Sequence, residues 1–113
     1  MRSVWKRILE FNNKYFTNWR RAHPIFYSNA MAGELGEICS MIKRMAGGGT
    51  NKKGTVLGHD IVTECADLLI YMILLVENLG FHYSDFKAAL DSKINVLYER
   101  MKSESPRTVM GRD

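Results

Sequence analysis

Two segments of the sequence repeat the same pattern of apolar and acidic residues, 30 positions apart. Each segment has apolar residues at every third or fourth position, and this spacing is typical of one face of an α-helix. The two apolar stripes are Met31, Leu35, Ile38, Ile42 and Met45, and Ile61, Cys65, Leu68, Met72 and Leu75. The repeat predicts two long amphipathic helices.

Each stripe carries a pair of acidic residues along one edge, Glu34 with Glu37 and Glu64 with Asp67. Residues three apart on a helix share a face, with Cβ atoms about 5–6 Å apart. If the two edges face each other, four carboxylates meet in one crevice and need a counter-charge. Mg²⁺ and Mn²⁺ prefer such oxygen ligands, so we predict a metal site here. Alternatively, the four acids are solvated charges on helix surfaces.

The remaining sequence also favours helices, which makes the chain all-α. We expect a four- to five-helix bundle in one domain, residues 1–102, completed by oligomerisation, with a polar tail at 103–113. Ser3 and Ser84 are candidate N-caps for the first and last helices. The predicted helices are Val4–Trp19, Ser28–Ala46, Asp60–Leu79 and Ser84–Met101.

Composition narrows the functional classes. The chain has 113 residues, 46% of them apolar, and a net charge of +4. Residues 1–23 hold six lysines and arginines against the single acid Glu10. A basic flank beside an acidic centre suits a polyanionic substrate that also needs a metal, although an ordinary basic helix surface explains it equally well. No membrane span or secretion signal is expected.

The two cysteines, Cys39 and Cys65, are too few for a disulfide framework. We expect both to be buried, reduced thiols in a cytoplasmic protein. The glycine-rich loop at 46–58 resembles a phosphate-binding loop only in spacing, since it lacks the required Lys-Ser/Thr. Its lysines, Lys52 and Lys53, belong either to a phosphate-contacting flap or to a plain connector.

The acidic motifs resemble those of a known family. The motifs are Ala32-Gly-Glu34-Leu-Gly-Glu37-Ile-Cys39, Lys43-Arg44, Glu64-Cys-Ala-Asp67-Leu-Leu-Ile-Tyr71, Lys93-Ile-Asn95 and Arg100. Together they resemble the MazG-like nucleotide pyrophosphohydrolases of the all-α NTP pyrophosphohydrolase superfamily. The resemblance covers residues 28–101.

The resemblance implies Mg²⁺-dependent hydrolysis of a nucleoside triphosphate to the monophosphate and pyrophosphate, with Mn²⁺ as a substitute metal. It also implies a homodimer or homotetramer that acts in nucleotide-pool cleansing or supply. Many family members have further acids where this chain has Gly33 and Ser40, which leaves the number of metal ions open. The implied catalytic metal ligands are Glu34, Glu37, Glu64 and Asp67, and the implied phosphate-binding residues are Lys43, Lys93, Asn95 and Arg100.

Base recognition does not transfer from the family, because the N-terminal segment resembles it only loosely. Trp19, Phe26 and Asn29 precede the first acidic pair and are our candidates for stacking on the base and hydrogen-bonding to it. Alternatively, the aromatic residues pack in the core and Asn29 lies at a helix start.

Two rival functions remain. A di-iron bundle pairs glutamates with Glu-x-x-His motifs, and neither acidic motif here contains histidine. A non-enzymatic helical binding or assembly module would use the basic N-terminal helix to contact nucleic acid, but no recognised nucleic-acid motif supports such binding. We therefore favour the hydrolase.

Overall fold

The computed structural model describes residues 1–46 and 54–102, and this part of the chain is helical without any strand. The prediction of an all-α chain is confirmed. The backbone divides into two units, residues 1–81 and a second unit that begins at His82. The bundle type, the single domain and the oligomer stay predictions. The elements are α1 (Arg2–Tyr15), the short 3₁₀ helix η1 (Trp19–Arg21), α2 (Ile25–Ala46), α3 (Gly54–Asn78) and α4 (Tyr83–Met101).

The first helix is shorter at its C-terminal end than the sequence predicts. It ends at Tyr15, because Phe16 is extended and Asn18 adopts the left-handed conformation with φ 62°. Asparagine accepts this conformation more readily than most residues. Trp19 therefore belongs to η1 and not to α1. The predicted N-cap was also wrong, since Ser3 lies inside the helix and Met1 is the cap.

The starts of the other helices also differ from the prediction. α2 begins three residues early, because Pro24 fits a first turn and the His23 Nδ1 accepts a hydrogen bond from the Ile25 N–H. α3 begins at Gly54 rather than Asp60. Ser84 does not cap α4; instead the Asp85 carboxylate accepts from the His82 N–H at 2.9 Å. Lys52, Lys53 and the tail at 103–113 lie outside the described residues.

The end of α3 follows the prediction. Gly80 has φ 92°, a left-handed conformation that suits glycine, and the Phe81 N–H donates to the Val76 carbonyl. This is the Schellman arrangement that satisfies the last carbonyl groups of a helix. It terminates α3 just after Asn78, whose side chain is important for the neighbouring turn.

The first unit is held together by contacts that α3 makes with α2, α1 and η1. Trp19, Tyr27 and Leu74 form a buried cluster, with partly buried apolar side chains from α1 and α3 around it. Many large apolar side chains stay exposed on α2, among them Leu35 and Ile42. The core is therefore concentrated at the end of α3 that contacts α1 and η1.

The predicted burial of the cysteines was wrong. Cys39 and Cys65 are both exposed free thiols. Helical spacing places them beside apolar residues, but the contact between α2 and α3 is narrower than the two stripes. In this structure the edges of the stripes are uncovered.

A buried carboxylate connects three elements of the first unit. Glu77 on α3 is 3% exposed, and its two oxygens accept hydrogen bonds from Trp5 on α1 at 2.8 Å and from Arg20 on η1 at 2.9 Å. A buried charge is tolerated when it is paired and hydrogen-bonded. Glu77 thus ties the start of α1 and the η1 turn to the end of α3.

The next residue of α3 holds the η1 turn through its backbone. The Asn78 side-chain amide donates to the carbonyl groups of Trp19, Arg20 and Ala22 at 3.2, 3.1 and 2.8 Å. A short 3₁₀ helix leaves several carbonyl groups without internal partners. The Asn78 amide satisfies them and fixes the backbone position of Trp19.

No helix in the described ranges combines the length and the apolar character that crossing a membrane requires.

We expect Glu77→Ala to lower the free energy of unfolding by about 2–3 kcal/mol, because it leaves the Trp5 and Arg20 donors without this acceptor. Urea unfolding followed by circular dichroism measures the change. Glu10→Ala is the control, since Glu10 forms only an exposed pair with Lys6 at 3.9 Å and should change stability by less than about 0.5 kcal/mol. Equal effects of the two variants would contradict a central role for Glu77.

Candidate metal and ligand site

Three of the four predicted metal ligands meet between α2 and α3. Glu34, Glu37 and Glu64 each offer a carboxylate oxygen, and these oxygens lie within 4.8 Å of one another. Glu34 and Glu64 are half-buried, whereas Glu37 is exposed. Since α2 packs on α3, the two acidic edges face each other as the sequence pattern predicts. We call these three residues the acidic cluster.

The fourth predicted ligand lies close to the cluster but not within it. Asp67 is half-buried on α3, one helical turn beyond Glu64. Its negative charge acts on the cluster and contributes to raising the pKa of both Glu37 and Glu64. Asp67 also lines a cavity together with Glu34.

The close approach of like charges changes the protonation of the cluster. A hydrogen bond shared with Glu64, followed by the like charge of Glu64, raises the pKa of Glu37 above its ordinary value. A hydrogen bond with Glu34, together with desolvation, raises the pKa of Glu64. Carboxylates that share a site resist ionising together. The cluster therefore favours a bound proton or a bound cation.

The cluster has features that fit a divalent metal ion. Within residues 1–46 and 54–102, none of the four acids forms an ion pair with a lysine, arginine or histidine. The Glu34 Oε2 atom is buried and has no hydrogen-bond partner in this part of the chain. Carboxylate oxygens are the ligands that Mg²⁺ and Mn²⁺ prefer. The donor set therefore fits such an ion.

A cavity of about 850 Å³ adjoins the acidic cluster. Small-molecule sites in proteins typically measure about 300–1,000 Å³. Glu34 and Asp67 form part of its lining, so the cavity and the cluster are continuous. The rest of its lining is mainly aromatic and apolar and comes from α1, the η1 turn, the start of α2 and the middle of α3. The aromatic residues that line it are Phe11, Phe16, Trp19, Phe26, Tyr27 and Tyr71.

The Trp19 ring is the most firmly positioned part of this lining. Its Nε1–H donates to the Asn13 Oδ1 at 2.9 Å, and the Arg20 guanidinium lies 4.5 Å from the ring centroid. Its backbone carbonyl accepts from the Tyr27 hydroxyl at 2.8 Å, in addition to the Asn78 amide. These contacts fix both the ring and the backbone of Trp19 before any ligand binds.

The three residues proposed for base binding occupy different environments. Trp19 and Phe26 both line the cavity. The Phe26 ring packs edge-on against Tyr27, with centroids 5.2 Å apart. Asn29 is exposed on α2 and is not among the residues that line the cavity. The cavity thus contains two of the three candidates.

The predicted phosphate-binding residues are exposed in the structure. Lys43 is exposed in the last turn of α2. Lys93, Asn95 and Arg100 are exposed on α4, in the second unit. Their contact with phosphate stays a prediction.

Sequence reasoning missed a buried polar residue of the cavity. Asn12 is only 7% exposed and lines the cavity from α1. The only signal in the sequence was its position four residues after Ile8 and seven after Trp5, on the apolar side of the helix. An asparagine at such a position is usually exposed, and nothing in the sequence alone distinguishes a buried one.

No protein-family model, curated protein or solved structure matches this chain. The family resemblance therefore rests on the motif residues alone.

In the absence of metal, we expect the acidic cluster to destabilise the fold as the pH rises. The pKa values of Glu37 and Glu64 are raised in the folded state, so the folded chain holds more protons than the unfolded chain above the ordinary value of 4.5. Stability therefore falls as the pH rises from 4.5 through the raised pKa values. Thermal unfolding in EDTA at a series of pH values measures this slope.

Glu37→Gln removes one of the repelling charges, so the melting temperature of this variant should fall less steeply as the pH rises. Glu10→Gln, which replaces an exposed glutamate outside the cluster, should leave the slope unchanged. Parallel melting-temperature profiles for wild type and Glu37→Gln would contradict the repulsion.

Proposed function

We propose that this protein is a Mg²⁺-dependent nucleoside triphosphate pyrophosphohydrolase, which converts a ribo- or deoxynucleoside triphosphate and water to the monophosphate and pyrophosphate. The observation that carries the proposal is the continuity of two features. Three carboxylates lie within 4.8 Å of one another, and one of them, Glu34, also lines an aromatic cavity. A nucleotide needs both kinds of environment, one for its phosphates and one for its base.

The carboxylates of the acidic cluster, with Asp67 beside them, would hold the metal. When bound, Mg²⁺ neutralises negative charge on the phosphates and on the pyrophosphate leaving group, and Mn²⁺ can replace it. Glu34 or Glu37 would accept the proton of the attacking water at a carboxylate oxygen.

The phosphate chain needs cationic and hydrogen-bonding groups as well. Lys43, Lys93, Asn95 and Arg100 supply such groups in the proposed enzyme, on the strength of the motif resemblance. An arrangement as a homodimer or homotetramer would cover the apolar side chains that remain exposed on α2, such as Leu35 and Ile42. A cytoplasmic role in nucleotide-pool cleansing or supply is part of the same proposal.

The decisive experiment is a nucleotide panel, ribo and deoxy, canonical and damaged, incubated with Mg²⁺ or with EDTA. Chromatography separates monophosphate and pyrophosphate from diphosphate and phosphate. We expect metal-dependent release of monophosphate and pyrophosphate. Glu37→Gln should lower this activity by at least about 100-fold, because it removes a metal-binding carboxylate.

Glu10→Gln is the matched control and should retain full activity. Absence of turnover for every nucleotide, from folded protein that binds Mg²⁺ or Mn²⁺, would refute the hydrolase. Salt-dependent binding of DNA or RNA that Glu37→Gln does not change would then favour the non-enzymatic binding module.

A further inference from the structure

Asn12 places a side-chain amide at the wall of the cavity. The residue is 7% exposed, and no group in the described part of the chain forms a hydrogen bond with its side chain. Asn12 lines the cavity next to the acidic cluster, so a ligand in the cavity can form hydrogen bonds with its amide.

The surroundings of Asn12 restrict what can occupy the cavity. Phe16, Trp19 and Tyr71 are among the aromatic side chains that line it, and flat ring systems pack well against such groups. Within the described ranges, the only charged residues that line the cavity are Arg7, Glu34 and Asp67. The cavity thus suits a planar ring that carries a few hydrogen-bonding groups and is linked to a part that reaches the carboxylates.

We infer that Asn12 is a specificity-determining residue that hydrogen-bonds the edge of a nucleobase held in this cavity. The inference rests on the proposed function, from which it takes the nucleotide, and adds the residue that recognises the base. An asparagine amide presents a donor beside an acceptor, and a nucleobase edge offers the complementary pair. The amide therefore distinguishes bases by the order of donor and acceptor on the edge that enters the cavity.

The η1 turn restricts this recognition, because it positions Trp19, another residue that lines the cavity. Asn13 holds the Trp19 ring, and Tyr27 and Asn78 hold its backbone carbonyl, so the ring is in place before a base enters. A pre-formed site of this kind rejects ligands that leave its polar group unpaired. We therefore expect substitution of Asn12 to change which base is preferred, and not only the affinity for all bases.

The first test replaces Asn12 by leucine, which has a similar size but no hydrogen-bonding group. If the Asn12 amide binds a ligand and not the fold, Asn12→Leu removes no hydrogen bond of the described part of the chain and should melt at the same temperature as wild type or higher. If the Asn12 amide stabilises the folded chain, the variant should melt at a lower temperature. A lowered melting temperature would overturn the inference.

The second test measures ligand binding without phosphates or metal. In EDTA, the side-chain amide resonances of Asn12 are assigned in a ¹⁵N–¹H spectrum by their absence from Asn12→Leu. Titration with adenosine, guanosine, cytidine, uridine and thymidine should shift these resonances for at least one nucleoside. Asn12→Leu should weaken the binding of that nucleoside by at least about 10-fold, whereas Glu10→Gln should bind it as wild type does. If no nucleoside shifts the Asn12 amide, the inference is wrong.

The third test uses the hydrolysis panel with Asn12→Asp, which keeps the shape but offers only acceptors. The ratio of kcat/KM between the best and the poorest base should change by at least about 10-fold, mainly through KM. An unchanged ranking in an active enzyme would overturn the role of Asn12 and leave the hydrolase standing. Nucleoside binding to Asn12 without any hydrolysis would instead support the base site and refute the proposed reaction.

Discussion

One buried carboxylate joins α1 and η1 to α3. Glu77 accepts hydrogen bonds from Trp5 and Arg20, and these residues come from two elements that have no regular hydrogen bonding to α3. Because an unpaired buried carboxylate is costly, the position of Glu77 depends on α1 and η1 staying in place. The neighbouring Asn78 then fixes the η1 backbone, and Trp19 follows with it. The lining of the cavity thus depends on the last turns of α3.

In the middle of α3, the acidic side chains destabilise the packing and do not support it. There, Glu64 approaches Glu34 and Glu37 without a compensating cation from the described side chains, and the like charges oppose the packing of α3 on α2. Apolar contacts around Ile38 and Ile73, which are both buried, hold the two helices together against this repulsion. Energetic strain of this kind is common at functional sites, where a ligand later relieves it. The same helix therefore stabilises the fold at one end and concentrates unfavourable charge nearer its middle.

The sequence predicted regular, repeated features well and irregular ones poorly. Helical spacing was sufficient to predict α2, α3 and the convergence of Glu34, Glu37 and Glu64, because all three depend on a periodic pattern. It could not predict η1, because Trp19 continues the apolar spacing of α1 and only the backbone at Asn18 breaks the helix. The exposure of Cys39 shows a second limit, since spacing tells which face is apolar but not what covers it. Asn12 could not be found, because its burial depends on elements distant in the sequence.

The carboxylates and the N-terminal part of the cavity lining lie on different helices. The acidic cluster and Asp67 belong to α2 and α3, whereas another part of the cavity lining comes from α1 and η1, which are attached to α3 through Glu77 and Asn78. Substitutions in the N-terminal segment can alter the shape and polarity of the cavity while the carboxylates keep their positions. A change of ligand preference would therefore need substitutions in only a short stretch of chain, with the carboxylates left in place.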